Sequence, residues 1–231
     1  MAVAETEHRL RSPRSLSGVD LARLSWAGLI LSVLMLAFAP LLVADSYSLI
    51  ENTLSESGGQ GVDGAWMLRT GVLLAAFAVF IMTTISPHWG KTARIALRIY
   101  VLGLVALAVF PESPWDGGAY DGTVAYLHTV SGVVGAASFI VGVMTVSNSR
   151  PSRQRGARAF DWMVVLSVAL VPQLMLATTG DGLLQRTMVA LGYAWLFVEA
   201  ARISERLGIA EKPTEATRGD IRWTGDRARS S

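Results

Sequence analysis

The chain contains no cysteine. Disulfides, thiol nucleophiles, iron–sulfur clusters and Cys-ligated zinc are excluded with it. Histidine occurs only at His8, His88 and His128, and lysine only at Lys91 and Lys212. Both lysines lie in polar stretches, whereas a retinal-type Schiff base needs a lysine inside a helix bundle. Charge is scarce. Asp, Glu, Lys and Arg make up 16% of the 231 residues, against roughly 25% in soluble domains. With 52% hydrophobic residues and a mean hydropathy of +0.42, the chain is too apolar for a soluble domain or a disordered one. A net charge of +2 without a clustered basic face excludes a nucleic-acid partner. No P-loop and no G-x-S-x-G elbow occurs.

What the chain has in quantity is long apolar runs. Six of them approach the ~20 residues that match a bilayer's hydrocarbon core: 24–44, 65–85, 95–110, 123–146, 161–178 and 185–203. The third is short, and only Thr179-Gly180-Asp181-Gly182 separates the last two. Backbone polar groups in lipid must bond within their own segment, so the runs predict helices. Period-two alternation is absent, which disfavours a β-barrel. The expected fold is an all-α polytopic bundle of six transmembrane helices over 24–203. It is flanked by mostly disordered segments at 1–23 and 204–231. The first run is longer than the apolar core of a signal peptide and lacks a small-residue cleavage site, so it predicts an uncleaved helix.

Orientation follows from the basic residues. With the N-terminus inside, all of the 20 Lys and Arg except Arg69 and Arg186 fall on the inner side. The expectation is a multi-pass cell-membrane protein with both termini cytoplasmic. The outer half gathers Asp45, Glu51, Glu56, Asp63, Glu112, Asp116, Asp121 and Asp181. Asp45, Asp63, Asp116 and Asp121 read as solvated surface. His8 and His88 then lie on the side opposite His128, so a three-histidine zinc site and a bis-histidine haem within the membrane are excluded. No cofactor is predicted. A carboxylate-bound Ca²⁺ or Mg²⁺ at the outer face is the one metal option left.

Five outer residues carry the candidate site: Ser55, Glu56, Arg69, Glu112 and His128. Arg69 lies one turn inside the second run, where a guanidinium must snorkel or find a carboxylate. The expected partner is Glu56 or Glu112. His128, Ser131, Gly135, Ser138 and Gly142 recur at helical spacing and share one face. Small residues on a face let membrane helices approach closely, so His128 should face the bundle, beside one of these carboxylates. An imidazole suits proton transfer or ligand contact, and equally a structural bond to a backbone carbonyl. The acid–base candidates are Glu56, Glu112 and His128. Ser55 with His128 and a carboxylate makes a serine triad on paper only. Elsewhere, Pro40 and Pro172 should kink their helices, and Glu199 should pair locally with Arg202. Trp26, Trp66, Trp89, Trp115 and Trp162 sit near helix ends, as an aromatic belt does.

The segment Tyr47-Ser48-Leu49-Ile50-Glu51-Asn52-Thr53-Leu54-Ser55-Glu56-Ser57-Gly58 resembles the N-x-[IL]-S-E-x-G loop after the first helix of the "domain of unknown function 998" membrane proteins. Phe110-Pro111-Glu112-Ser113 is similar to the F-P-x-x motif that ends the third helix there, and His128 to a histidine opening the fourth. The family's aspartate after the F-P pair falls on Glu112 or Asp116. The resemblance covers roughly 24–203 and implies six helices and a site location, without an activity. The functional expectation is a polar outer pocket that binds or moves a small or lipidic ligand. The alternatives are a membrane-embedded enzyme using carboxylate–histidine acid–base chemistry on a lipid or isoprenoid, and a structural or accessory subunit. The expected partners are the lipid bilayer and that ligand.

Overall fold

A computed structural model describes residues 16–43, 46–177 and 179–208. The flanks at 1–15 and 209–231, where disorder is expected, lie outside the described residues, as do His8, Asp45 and Thr178. The described chain is all-α. Its six helices are α1 (Gly18–Phe38), α2 (Ala65–Ile85), α3 (Gly90–Val109), α4 (Gly122–Asn148), α5 (Arg155–Met175) and α6 (Asp181–Arg206).

Most helices outrun the apolar segments that announce them, because polar ends can still be helical. Ser17 caps α1: its side chain accepts from Asp20 N–H, and the Asp20 carboxylate accepts from Ser17 N–H. This capping box starts the helix at Gly18, ahead of residue 24. Pro40 follows α1 in a 3₁₀ turn over Ala39–Leu42 and does not kink it. Pro172 does lie inside α5. Gln173 beside it is exposed. Gly64 precedes α2 at φ 76°, and a Cβ there would lie 2.5 Å from Leu42 Cβ. Only glycine meets both constraints.

Each helix packs on the next, and α1 packs on α6, closing a ring with α2 and α6 in contact across it. We call distal the end with the α1–α2, α3–α4 and α5–α6 connections. The proximal end carries the other two connections, Gly18 and Arg206. The core runs through Leu29, Met82, Leu97, Phe139, Val164 and Trp195. Trp195 meets Phe139 edge-on, with centroids 5.4 Å apart. Bulky side chains such as Phe77, Phe80, Leu102 and Leu170 point outward, while Ala75, Ala76 and Ala78 point inward. A helix apolar on all sides suits lipid contact.

Five helical segments among the described residues are long and apolar enough to cross a membrane: Gly18–Leu42, Ala65–Ile85, Pro87–Val109, Gly122–Asn148 and Arg155–Met175. The 21 residues of α2 span about 32 Å at 1.5 Å per residue. The 26-residue α6 is long enough but too polar to count among them. Its apolar stretch is bounded by Gln185 and Arg186 at one end and by Glu199 and Arg202 at the other. The aromatic belt also needs correction. Trp66 and Trp162 are exposed, but Trp89 is only 2% exposed and packs on Trp195 in the core.

Candidate functional site

The distal end is built around the α1–α2 loop, and both distal arginines bind that loop's backbone. Arg69 donates from Nε to the Gly58 carbonyl and from Nη2 to that of Gly59, both at 3.1 Å. Arg186, on α6, donates from Nη1 to the Leu49 and Asn52 carbonyls at 2.8 Å and from Nη2 to the Tyr47 hydroxyl at 2.6 Å. Tyr47 in turn donates to the Thr53 carbonyl. Burial raises the Tyr47 pKa against the opposing charge of Arg186, which keeps the phenol a donor.

The expected pairing of Arg69 with a carboxylate is therefore overturned. Among the described residues Arg69 forms no ion pair. A loop that leaves helical geometry near a membrane has carbonyls to satisfy, and a planar guanidinium can serve two at once. Glu56 turns inward on its own loop, accepting from Thr53 N–H at 2.5 Å. Ser55 faces α6, where Gln185 Nε2 donates to its hydroxyl and Gln185 Oε1 accepts from its N–H, each at 3.3 Å. Ser55 is thus not joined to His128 in a triad. We expect Arg69→Lys and Arg186→Lys each to lower stability by about 1–3 kcal/mol, because lysine leaves a carbonyl without its donor. Thermal unfolding midpoints in detergent measure this. Wild-type midpoints in both variants would show that the loop is held elsewhere.

His128 does lie beside a carboxylate. It is buried at the start of α4, with Nδ1 2.7 Å from the Phe110 carbonyl and Nε2 3.5 Å from Glu112 Oε2. A carbonyl only accepts, so Nδ1 carries the proton in that bond. Nε2 then faces Glu112 with a lone pair or, in the imidazolium, with a second N–H. Glu112 also accepts from Ser113 N–H and Oγ–H. Gln60 joins this segment to the α1–α2 loop. Its N–H donates to the Glu112 carbonyl, its amide donates to the Pro111 and Asp121 carbonyls, and its Oε1 accepts from Asp121 N–H. Among the described residues these five tie the distal loops together, and His128 with Glu112 is the one pair of them joined side chain to side chain.

An open cleft of about 480 Å³ lies next to them, between residues 60–63 and 114–119. None of the five lines it. Its walls include Leu42, Val62 and Trp115 with the carboxylates Asp63 and Asp116. Trp115 stands edge-on to Tyr47, and its Nε1 is buried without a partner among the described residues.

The most buried charges lie at the proximal end. Arg150, in the α4–α5 loop, donates from Nε and Nη2 to the two oxygens of Asp161, at 2.6 and 3.0 Å. The same Nη2 donates to Glu199 Oε1 at 2.6 Å. Trp195 Nε1 donates to Asp161 Oδ1 at 3.0 Å, and Arg202 donates to Glu199 Oε1. Asp161 is 0% exposed, Glu199 2% and Arg150 8%. Burial opposes the charge on Arg150, but the hydrogen bonds and charges of Asp161 and Glu199 raise its pKa above the ordinary arginine value.

The profile of the family described as "Protein of unknown function (DUF998)" matches residues 26–202. The chain belongs to the DUF998 family. Neither a curated protein nor a solved structure matches it. The DUF998 match contains both the distal loops and the whole proximal network, whose last member, Arg202, is its final residue. The sequence reading finds the Glu199–Arg202 pair but misses Arg150 and Asp161. Asp161 looks like a helix end because the apolar run begins there, whereas α5 starts a turn and a half earlier. The available signal was Glu199, a charge inside an apolar run that needs more than an exposed partner. For a divalent cation, this DUF998 protein brings no group of three or more Asp, Glu or His side chains into ligating range among its described residues.

Proposed function

We propose that this DUF998 protein crosses the membrane six times with both termini inside, and that its distal, outer face binds a small amphiphile carrying a positive charge. The observation that carries this reading is the cleft. Its volume falls within the roughly 300–1,000 Å³ of small-molecule sites. Leu42, Val62 and Trp115 offer an apolar wall where a helix end meets the loops. Asp63 and Asp116 supply negative charge, and no arginine or lysine lines the cleft with them. The two distal arginines are committed to backbone carbonyls and leave that charge uncompensated. Ser55, Glu56, Arg69, Glu112 and His128 then act as positioning residues that hold the cleft's walls. We read α6 as the sixth span because it packs alongside α5 and its Arg186, Glu199 and Arg202 are turned onto protein partners.

The test is binding of a fluorescent quaternary ammonium amphiphile to the protein in nanodiscs, beside its uncharged and sulfonate analogues. Saturable binding of the cation alone is expected. The double variant Asp63→Asn/Asp116→Asn should weaken it at least about tenfold, roughly 1.4 kcal/mol. Equal binding of the three analogues, or no loss in the double variant, defeats the reading. Orientation is tested separately in a chain without native cysteine. Tyr120→Cys, at an exposed distal position, should react with an impermeant thiol reagent in intact cells, and Ser152→Cys should not. The reverse pattern inverts the topology.

A second reading rests on His128 and Glu112, whose adjacency suits acid–base chemistry on a lipid. It is the weaker one, because His128 is buried and both ring nitrogens already face protein partners. Turnover of a lipid substrate lost in His128→Gln but retained in Asp63→Asn/Asp116→Asn would favour it.

A further inference from the structure

The proximal network has an unusual construction. Two buried carboxylates come from helices, Asp161 on α5 and Glu199 on α6. The cation between them comes from a loop. Arg150 lies in the α4–α5 connection, whose residues 151–154 are exposed. The loop's remaining polar ties are local. Arg158 donates to the Arg150 carbonyl, and Gln154 N–H to that of Pro151. Arg150 is therefore the side chain that fastens this loop onto α6.

Charge balance dictates what happens when it lets go. Asp161 and Glu199 are offset by Arg150 and Arg202. Arg202 bonds Glu199 alone, from the next turn of the same helix. Among the described residues Asp161 has no cation besides Arg150; its other donor is the neutral Trp195 indole. Removing Arg150 leaves a fully buried carboxylate without a counter-charge, which is strongly unfavourable. The other charged groups close by do not replace it. Arg158 is committed to a carbonyl, Arg206 lies a turn beyond Arg202, and His88 sits exposed in the α2–α3 hairpin. A second cation that takes the place of Arg150 removes this cost of lifting the loop.

We propose that Asp161, Glu199 and Trp195 form a cation site for guanidinium-type ligands, that Arg150 occupies it as a tethered stand-in, and that an added cation of this class displaces Arg150 and opens the proximal end. The class follows from the occupant. The Asp161 carboxylate receives the guanidinium with two parallel N–H bonds, a match that a spherical ammonium lacks. The Trp195 indole borders the site through its Nε1–H bond to Asp161, the Trp89 ring lies 6.2 Å from the Trp195 ring, and Trp89 Nε1 is buried without a partner among the described residues. A ligand that binds only the opened state raises that state's population.

The reporter is Ser147→Cys, a near-isosteric change at a buried position one turn before Arg150. With no native cysteine, the rate of its modification reads the lifting of the loop. The protein is held in detergent, where both ends are accessible, so the result does not depend on the distal cleft. Asp63→Asn/Asp116→Asn in the same background should behave as the parent. Millimolar methylguanidinium should raise the modification rate saturably, by about tenfold, while sodium chloride of equal ionic strength should not. Glu199→Gln should raise the rate without ligand and abolish the saturable response. Arg150→Lys, which keeps the charge but loses the fork, should raise the basal rate and respond at lower methylguanidinium. A rate unchanged by methylguanidinium, or raised equally by sodium chloride, overturns the proposal and leaves the cleft reading untouched. So does a Glu199→Gln protein that responds like its parent.

Discussion

Asp161→Ala is expected to lower the stability of the bundle by about 3–5 kcal/mol, the largest effect of any single side-chain truncation proposed for this chain. The carboxylate is fully buried and accepts from Arg150 Nε, Arg150 Nη2 and Trp195 Nε1. Its removal leaves a buried indole donor unpaired and a guanidinium with one of its three carboxylate acceptor oxygens. Two controls separate charge from packing. Asp116→Ala, at an exposed loop position, should change little. The combined variant Arg150→Met/Asp161→Leu/Glu199→Met should recover much of the loss, because a buried ion group replaced as a unit by apolar side chains is often neutral. Arg202 is the one charge it leaves behind, and its partly exposed side chain can turn to water. Thermal midpoints in one detergent measure all three. Similar midpoints for Asp161→Ala and Asp116→Ala would show that the network contributes nothing.

That network marks the limit of what the sequence discloses. Apolar run length is a property of each segment alone, and it is enough to place all six helices. It misplaces their ends, because caps such as Ser17–Asp20 and polar first turns such as Arg155–Phe160 extend a helix without adding hydropathy. Side-chain pairing depends on neighbours far apart in sequence. His128 facing the bundle was legible because its stripe of small residues is local to α4. Its contact with Glu112 was legible because both sit beside one short connection. Arg69 misled for a physical reason. Its need for a partner was read from charge, so a carboxylate was sought, whereas the α1–α2 loop offers carbonyls to the same guanidinium. Arg150 and Glu199 are separated by 49 positions, and no local pattern joins them. The same logic explains α6. Its hydropathy is spoiled by Arg186 and Glu199, which find partners in the α1–α2 and α4–α5 loops.

Replacement of Gly103 should show how closely α3 and α4 approach, and a graded series fixes the sign. A Cβ on Gly103 would lie 2.9 Å from Gly135 Cα and 3.2 Å from the Ser131 carbonyl oxygen. Both are backbone atoms, so neither can step aside by changing rotamer. Gly103→Ala should therefore destabilise, and Gly103→Leu should cost about 1–3 kcal/mol or more as the helices are forced apart. Separation would also pull the α3 end from His128, which holds the Phe110 carbonyl, so loss of ligand binding at the distal cleft should accompany it. A Cβ on Gly135 meets Gly103 Cα at 3.7 Å and Tyr100 Cδ2 at 3.8 Å, ordinary contact distances. Gly135→Ala should be tolerated, while Gly135→Leu should not, since its longer branch must enter the space occupied by Gly103 and Tyr100. On the same helix a Cβ at Gly132 meets only Leu107 Cδ2, at 3.8 Å. There the lower backbone entropy of alanine has nothing to oppose it, and Gly132→Ala should stabilise by about 0.5–1 kcal/mol. The order Gly132→Ala above wild type, Gly135→Ala near it and Gly103→Ala below it is the expected result in thermal unfolding. Gly103→Ala as stable as Gly132→Ala would mean that α3 and α4 do not meet backbone to backbone.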